Sequence, residues 1–231
     1  MPTAWYPKDK EKLIEILDEL MNAPAKKHKV NGLIVPHAGY EFSGKIAGKA
    51  FAMLKDSKKT KAVVIGPSHY IGFEGVRALK EIETPLGKIK IMENNFKTLD
   101  YEHSIDNEIP FLQGLGFKEI LPLVTGEISK EKAKEIALKI SKIKDAVFIF
   151  STDLSHFLPY EEAVDKDRKT IRAIENCEEC EEIDACGKSA LSILMELCKL
   201  KNWNPRLIEY KNSGDITGDK NSVVGYSSFY F

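Results

Sequence analysis

Several classes of protein are excluded by what this sequence does not contain. Apolar runs such as Val147–Phe150 are only a few residues long, well short of the roughly 20 needed to cross a bilayer. No charge surplus exists either. Thirty-four Lys+Arg stand against 35 Asp+Glu, a formal net charge of -1, so the usual electrostatic argument for nucleic acid or an anionic membrane surface is missing. The N-terminus has no apolar h-region, and a cytoplasmic protein is the expectation. Neither a G-x-S-x-G nucleophile elbow, nor a P-loop, nor a G-x-G-x-x-G run is present. Internal repeats, low-complexity tracts and Gly/Ser linkers are also absent. The four cysteines (Cys177, Cys180, Cys186 and Cys198) fall in one short stretch. A secreted disulfide scaffold would spread them out, so reduced thiols are the default, with a Cys177–Cys180 disulfide as one option.

The chain that remains, 231 residues with 43% hydrophobic and 30% charged residues, reads as one soluble domain over residues 1–231 with a substantial core. Buried-strand runs alternate with amphipathic helices. The expected strands are Val30–Val35, Lys61–Ile65, Ile120–Val124, Ala146–Phe150, Arg206–Tyr210 and Val223–Tyr230. A hairpin is expected around Pro85-Leu86-Gly87, with Arg77–Glu83 and Lys88–Met92 as its arms. Helical periodicity covers about Lys8–Met21, Gly44–Lys55, Asn107–Leu115, Ser129–Ile143, Glu161–Glu175 and Gly187–Lys199. Strands apolar on both pleat faces, separated by helices, predict an α/β three-layer αβα sandwich around a central, largely parallel mixed sheet.

An open parallel sheet places its functional groups beyond the carboxyl ends of its strands. Three of the five histidines follow this rule. Val30–Val35 runs into Pro36-His37-Ala38-Gly39-Tyr40, and Lys61–Ile65 into Gly66-Pro67-Ser68-His69-Tyr70. Ala146–Phe150 runs into Ser151-Thr152-Asp153-Leu154-Ser155-His156-Phe157. A single loop histidine is ordinarily just a satisfied polar residue. Three at equivalent strand ends predict a shared pocket. Two neutral imidazoles with a third, anionic ligand suit a divalent transition metal, and another histidine beside a carboxylate suits a general acid/base. Cys186, at the predicted start of a helix, is a candidate third ligand because a helix N-terminus favours a thiolate. It fits equally well as a small buried residue. His103 sits just ahead of a predicted helix, His28 reads as solvated surface, and Cys198 as core. The lone Cys177-Glu178-Glu179-Cys180 pair is weak evidence of a metal or redox site. Gly214–Asp219 superficially resembles a calcium loop but lacks the later bidentate Glu, and reads as a polar loop.

Taken in order, Pro36-His37-Ala38-Gly39-Tyr40, Gly66-Pro67-Ser68-His69, Glu102-His103-Ser104-Ile105, Ser151-Thr152-Asp153-Leu154-Ser155-His156 and Cys186-Gly187 resemble the motifs of the Memo family. Trp5-Tyr6-Pro7 is similar to that family's N-terminal motif, and the likeness covers essentially the whole chain. Memo proteins in turn resemble the class III extradiol dioxygenases, which hold Fe(II) with two histidines and a glutamate and use a further histidine as acid/base. The resemblance implies that His37 and His69 bind metal and that His156 is the acid/base. Cys186 then stands in place of the glutamate. A thiolate is softer than a carboxylate and oxidisable, so Cu or Zn gains ground relative to Fe(II).

The leading expectation is therefore a dioxygenase-like pocket holding one Fe or Cu ion on His37, His69 and Cys186. His156, held by Asp153, would be the acid/base for redox or oxygen chemistry on an unknown small molecule. Tyr40, Ser68, Tyr70 and His103 are expected to line the pocket. Two alternatives stand beside it. One is a peptide- or partner-binding module that reuses the pocket, with Tyr40, Tyr70, His69 and Phe157 as an aromatic cleft. The other is a hydrolase built on a redox-inert metal such as Zn.

Overall fold

The computed structural model describes residues 5–23, 30–178 and 183–231. His28 and Cys180 lie outside the described residues. In chain order the elements are α1 (Lys10–Leu20), β1 (Gly32–Val35), α2 (Tyr40–Ala52), β2 (Lys61–Pro67), β3 (Val76–Leu79), β4 (Glu83–Thr84), β5 (Gly87–Lys88) and β6 (Lys90–Ile91). Then follow β7 (Lys97–Leu99), α3 (His103–Asp106), α4 (Ile109–Gly114), β8 (Glu119–Thr125), α5 (Lys130–Ile140), β9 (Ala146–Ser151) and β10 (His156–Leu158). The chain closes with α6 (Tyr160–Asn176), α7 (Lys188–Lys201), β11 (Arg206–Asn212), α8 (Ser213–Thr217) and β12 (Val223–Tyr230).

Among the described residues, ten strands form one mixed sheet in the order β10-β12-β1-β9-β2-β8-β3-β7, with β11 on β12 and β6 on β8. Its centre, β1-β9-β2-β8, is parallel. The pleat sorts side chains to two faces. Leu33, Val35, Ala62, Val64, Val147 and Ile149 pack into one layer with Leu13, Leu17, Phe51 and Phe111 of the helices α1, α2 and α4. Ile34, Val63, Ile65, Phe148 and Phe150 pack into the other with Ile136, Ile140, Leu191 and Leu194 of α5 and α7. The expected αβα sandwich is thus the observed fold.

Local chemistry sets the helices. In α1, Leu13, Leu17 and Leu20 recur at helical spacing and are buried, while Asp9 caps the N-terminus by accepting from Lys12 N at 2.9 Å. Ser129 caps α5 in the same way at 3.2 Å, satisfying one of the donors that a helix start leaves unpaired. Gly48 lets α2 approach the end of α1, since a Cβ there would stand 2.3 Å from Leu20 O. Among the described residues, no helix is long and apolar enough to cross a membrane.

Two expectations need correction. Arg77–Glu83 and Lys88–Met92 are not the arms of one hairpin. Only Glu83–Thr84 and Gly87–Lys88 pair across the Pro85-Leu86 turn. Val76–Leu79 runs instead between β8 and β7, and Lys90–Ile91 joins β8. Local alternation could not reveal that β8, distant in sequence, offers both groups a partner strand. Residues Ser213–Thr217 form α8 rather than a loop, because the Asn212 side chain accepts from Asp215 N and Asp215 accepts from Asn212 N. This reciprocal cap starts the helix.

The central crossing tolerates no added atom at Gly32, where a Cβ would stand 2.2 Å from Phe148 O and 2.4 Å from the Phe231 ring. Gly32→Ala should therefore cost at least the ~1–3 kcal/mol usual for overpacking. At this chain length that lowers Tm by about 2–4 °C per kcal/mol, a drop that calorimetry reads directly.

Candidate metal centre

The site forms where the sheet changes winding direction. The β1 to β2 connection passes through α2 on one face, whereas the β8 to β9 connection passes through α5 on the other. Strand β9 lies between β1 and β2, so the loops beyond these three strands diverge and leave a crevice at their carboxyl ends. A cavity of about 940 Å³ opens there, lined by His37, His69, His103, Asp153 and His156 together with Trp5, Tyr40 and Tyr226.

His37 lies two residues beyond β1, His69 two beyond β2, and Cys186 just ahead of α7. One ligand atom from each falls within 4.8 Å of the other two. His37 Nε2 is 3.4 Å from Cys186 Sγ. The His37 and His69 rings meet edge-on at 5.1 Å between centroids. Both imidazoles are held from behind. His69 donates its backbone N–H to Glu102 Oε2 at 2.7 Å, and its Nδ1 lies 3.0 Å from Glu102 Oε1. His37 Nδ1 is 2.8 Å from Ser151 Oγ, and Asn107 Nδ2 donates to the His37 carbonyl at 2.6 Å. A carboxylate behind a ligand imidazole fixes its tautomer and raises its basicity.

Glu102 also caps α3 through Ser104 N. His103 Nδ1 lies 3.1 Å from Glu102 Oε1, a charge contact, and makes no hydrogen bond among the described residues. Its ring stacks on Trp5 at 4.5 Å and 10°. His69, Glu102 and His103 form a second group with ligand atoms within 4.8 Å. The Glu102 oxygens already accept from His69 and Ser104, so this group serves as a buttress for His69.

Burial governs the ionisation. It lowers His37 well below 6.5, helped by the neighbouring His69 and His103 rings, and so keeps it a neutral imidazole. Cys186 is pushed up to about 12, first by burial and then by Asp153. This corrects the expectation of a helix-favoured thiolate. The helix begins at Lys188 behind the cap Gly187, and the Asp153 N–H at 3.2 Å, the Thr152 hydroxyl at 3.7 Å and the Gly187 N–H do not together offset desolvation. Burial also raises Asp153 to about 6, against the His37 N–H and the surrounding imidazoles.

Asp153 was expected to hold His156. Its Oδ1 instead accepts the His37 backbone N–H at 2.9 Å, and its Oδ2 stands 4.0 Å from His37 Nε2. The register explains this. Val35 pairs with Ser151, so the residues two beyond each, His37 and Asp153, face one another. His156 has already left on β10, which pairs with β12, and it lines the cavity half-exposed beside Phe157, itself 74% exposed.

Along its length the chain matches the family model described as Memo-like protein over residues 2–230. This chain belongs to the Memo family. It is 34% identical to a MEMO1 family protein of Aquifex aeolicus, over 98% of this chain and 96% of that one. A MEMO1 family protein of Sulfurisphaera tokodaii is 33% identical over 92% and 87%. One from Methanococcoides burtonii is 35% identical over 86% and 85%.

Of the other expected pocket residues in this Memo protein, Tyr40 and His103 line the large cavity. Tyr70 is half-exposed with its ring 5.4 Å from His103. Ser68 lies elsewhere, on a separate cavity of about 500 Å³ that it shares with Cys186. Sequence reasoning passed over Glu102, Glu108 and Ser151 as supports. All three stand inside or beside the quoted motifs, but nothing in their spacing distinguishes a buttress from a helix cap or a strand end. Cys177, in its left-handed helix cap, is lowered to about 7 chiefly by the Cys198 thiol, so its partner among the described cysteines is Cys198.

Burial pushes the Glu102 carboxyl up, but the His103 and His69 side chains and the His69 N–H together pull it far below the ordinary 4.5. A carboxyl lowered in the folded state contributes stability that is present above its unfolded value and lost as pH falls through the window beneath it. Glu102→Gln should therefore flatten the loss of stability below about pH 4.5, as read by denaturant unfolding across a pH series.

Proposed function

We propose that this protein holds one transition-metal ion, Fe or Cu, on His37, His69 and Cys186. On this reading the ion serves redox or oxygen chemistry on a small molecule bound in the adjoining cavity. The observation that carries the reading is the convergence of the three ligand atoms within 4.8 Å. Their spacing suits an ion. The 3.4 Å between Cys186 Sγ and His37 Nε2 is a separation from which a thiolate and an imidazole would both reach one ion. Two imidazoles and a thiol make a soft donor set that suits copper, zinc or iron. When bound, such an ion supplies Lewis acidity and one-electron redox chemistry.

The chain's own residues do the rest. His37, kept neutral by burial, would offer Nε2, and Cys186 would bind as a thiolate, its proton released to water as the ion enters. His156, open to the cavity, is placed to give or take a proton. Trp5, Tyr40 and Tyr226 offer aromatic surface for a small planar ligand.

A second reading is favoured by one observation. Phe157 is 74% exposed at the lip of the cavity with a left-handed φ of 58°, and Tyr70 is 49% exposed, an arrangement suited to gripping a peptide. In that case a tyrosyl or phosphotyrosyl peptide binds with an affinity unchanged by a chelator.

Elemental analysis of anaerobically purified protein tests the leading reading. The wild type should carry about one equivalent of iron or copper, and His37→Ala and Cys186→Ser should lose it, because a site deprived of one of three protein ligands no longer closes on the ion. His156→Ala should keep the metal and lose any oxygen-dependent turnover of catechols. Full metal in His37→Ala and Cys186→Ser would end the assignment.

A further inference from the structure

Behind His37 lies a chain of hydrogen bonds ending in a carboxyl group that the proposed function leaves unused. Glu108 is 1% exposed. Its Oε1 accepts the Ser151 hydroxyl at 2.8 Å, and Ser151 Oγ lies 2.8 Å from His37 Nδ1. The other oxygen, Oε2, is buried with no hydrogen-bond partner among the described residues. On the far side of the ring, Nε2 faces Cys186 Sγ.

A serine hydroxyl has one proton and can donate to only one of its two neighbours. When Glu108 is a carboxylate, it can only accept, so the Ser151 proton points at it. Ser151 Oγ must then accept from His37 Nδ1–H, which leaves the lone pair on Nε2, facing Cys186. When Glu108 is protonated, its O–H donates to Ser151 Oγ and the Ser151 proton turns to Nδ1. The ring proton then sits on Nε2, where it blocks a ligand. The two arrangements differ by one proton: the second has protons on Glu108, Ser151 and Nε2, the first on Ser151 and Nδ1.

We propose that Glu108 is a positioning residue which, acting through the Ser151 hydroxyl, decides which ring nitrogen of His37 carries the proton and hence whether Nε2 is open to a metal ion. The consequence for metal rests on the function proposed above, whereas the tautomer does not. The groups that face Glu108 are Tyr40 from α2, Ser151 and Asp153 from the end of β9 and the loop after it, and His37, through Ser151, from the loop after β1. Tyr40 spends its hydroxyl proton on Asn107 O at 2.8 Å rather than on Glu108. Burial, with Asp153 adding to it, holds the Glu108 carboxyl well above 4.5 despite the Ser151 hydrogen bond. The changeover therefore falls above the usual glutamate range, where His37 remains neutral.

The test is 15N NMR of histidine-labelled, chelator-treated protein, with the His37 signals assigned from a His37→Gln sample. At high pH the wild type should show the Nδ1–H form, changing to the Nε2–H form as pH falls. Glu108→Gln, which has no titrating proton, should give a His37 tautomer that does not change with pH. Ser151→Ala deletes only a hydroxyl and serves where Glu108→Gln fails to fold; it should likewise uncouple the ring. Chelator competition should show affinity for Cu or Fe lowered about 10–100-fold in both variants, the usual cost of removing such a support. A wild-type tautomer that ignores pH, or a pH response that survives both substitutions, overturns the proposal even where metal binds normally. A tautomer that follows Glu108 in a protein that takes no metal upholds the relay and removes the metal reading instead.

Discussion

The parallel pairing of β1 with β9 is the constraint on which the rest of the site depends. Val35 lies opposite Ser151, and the ladder runs one step further, with Thr152 N donating to Val35 O at 2.8 Å. Both chains then leave the sheet together. Two residues later His37 and Asp153 are hydrogen-bonded neighbours, and Cys186 is drawn against the same turn by Asp153 N and by its own N–H to Asp153 O. Side chains from residues 116 to 149 positions apart thus meet because two four-to-six-residue strands are in register. A slip of one residue would turn each strand's apolar set to the wrong face, so the two core layers defend the site's geometry. Gly187 contributes from the other direction. A Cβ there would stand 2.6 Å from the Thr152 side chain, so only glycine lets the start of α7 press Cys186 into place.

Around this frame the site gathers ionisable groups that water would normally separate. Glu102, Glu108 and Asp153 are all buried, as are His37 and His103. Each carboxyl finds a different solution. Glu102 is flanked by imidazoles and backbone N–H groups and stays ionised; Glu108 has one hydroxyl and is driven towards its neutral form; Asp153 lies between. Environment, not residue type, separates their behaviour. The two imidazoles that face Cys186 therefore differ in kind. A carboxylate supports His69 directly, while His37 is supported through a hydroxyl whose direction depends on a carboxyl that can change its charge.

The architecture was legible in the sequence because its strands are apolar on both faces and therefore leave no ambiguity with amphipathic edges: Val63, Val64 and Ile65, or Val147 to Phe150, read as central parallel strands. The edge was less legible. Val76–Leu79 and Lys90–Ile91 have weak alternation and short length, and their pairing is decided by β8, whose partner residues lie 29 to 49 positions away. In the site, the rule that function gathers beyond strand ends pointed to His37, His69 and His156. The structure adds that His37 and His69, and not His156, stand with Cys186. The partner of Asp153 could not be read, because a carboxylate three residues before a histidine looks like its support until the register of another strand is known. Glu102 and Glu108 were hidden for a related reason. Their role comes from the packing of α3 and α4 against the ends of β2 and β9, a contact with no local signature.

The thiol shows how these constraints act together. Burial and the nearby Asp153 carboxylate both oppose ionisation of Cys186, so on its own the group is a poor nucleophile and a poor redox thiol at neutral pH. A reactive cysteine would need an electropositive setting, and this one has the Asp153 carboxylate behind it and the neutral His37 imidazole in front. On the proposed reading, a positive ion between Sγ and Nε2 would reverse the balance, because it would attract the thiolate and Asp153 alike while His37 stays a neutral donor. The same burial that suppresses the free thiolate would then strengthen the attraction to the ion. The arrangement that makes Cys186 unsuited to act alone would therefore suit it to the ligand role proposed above.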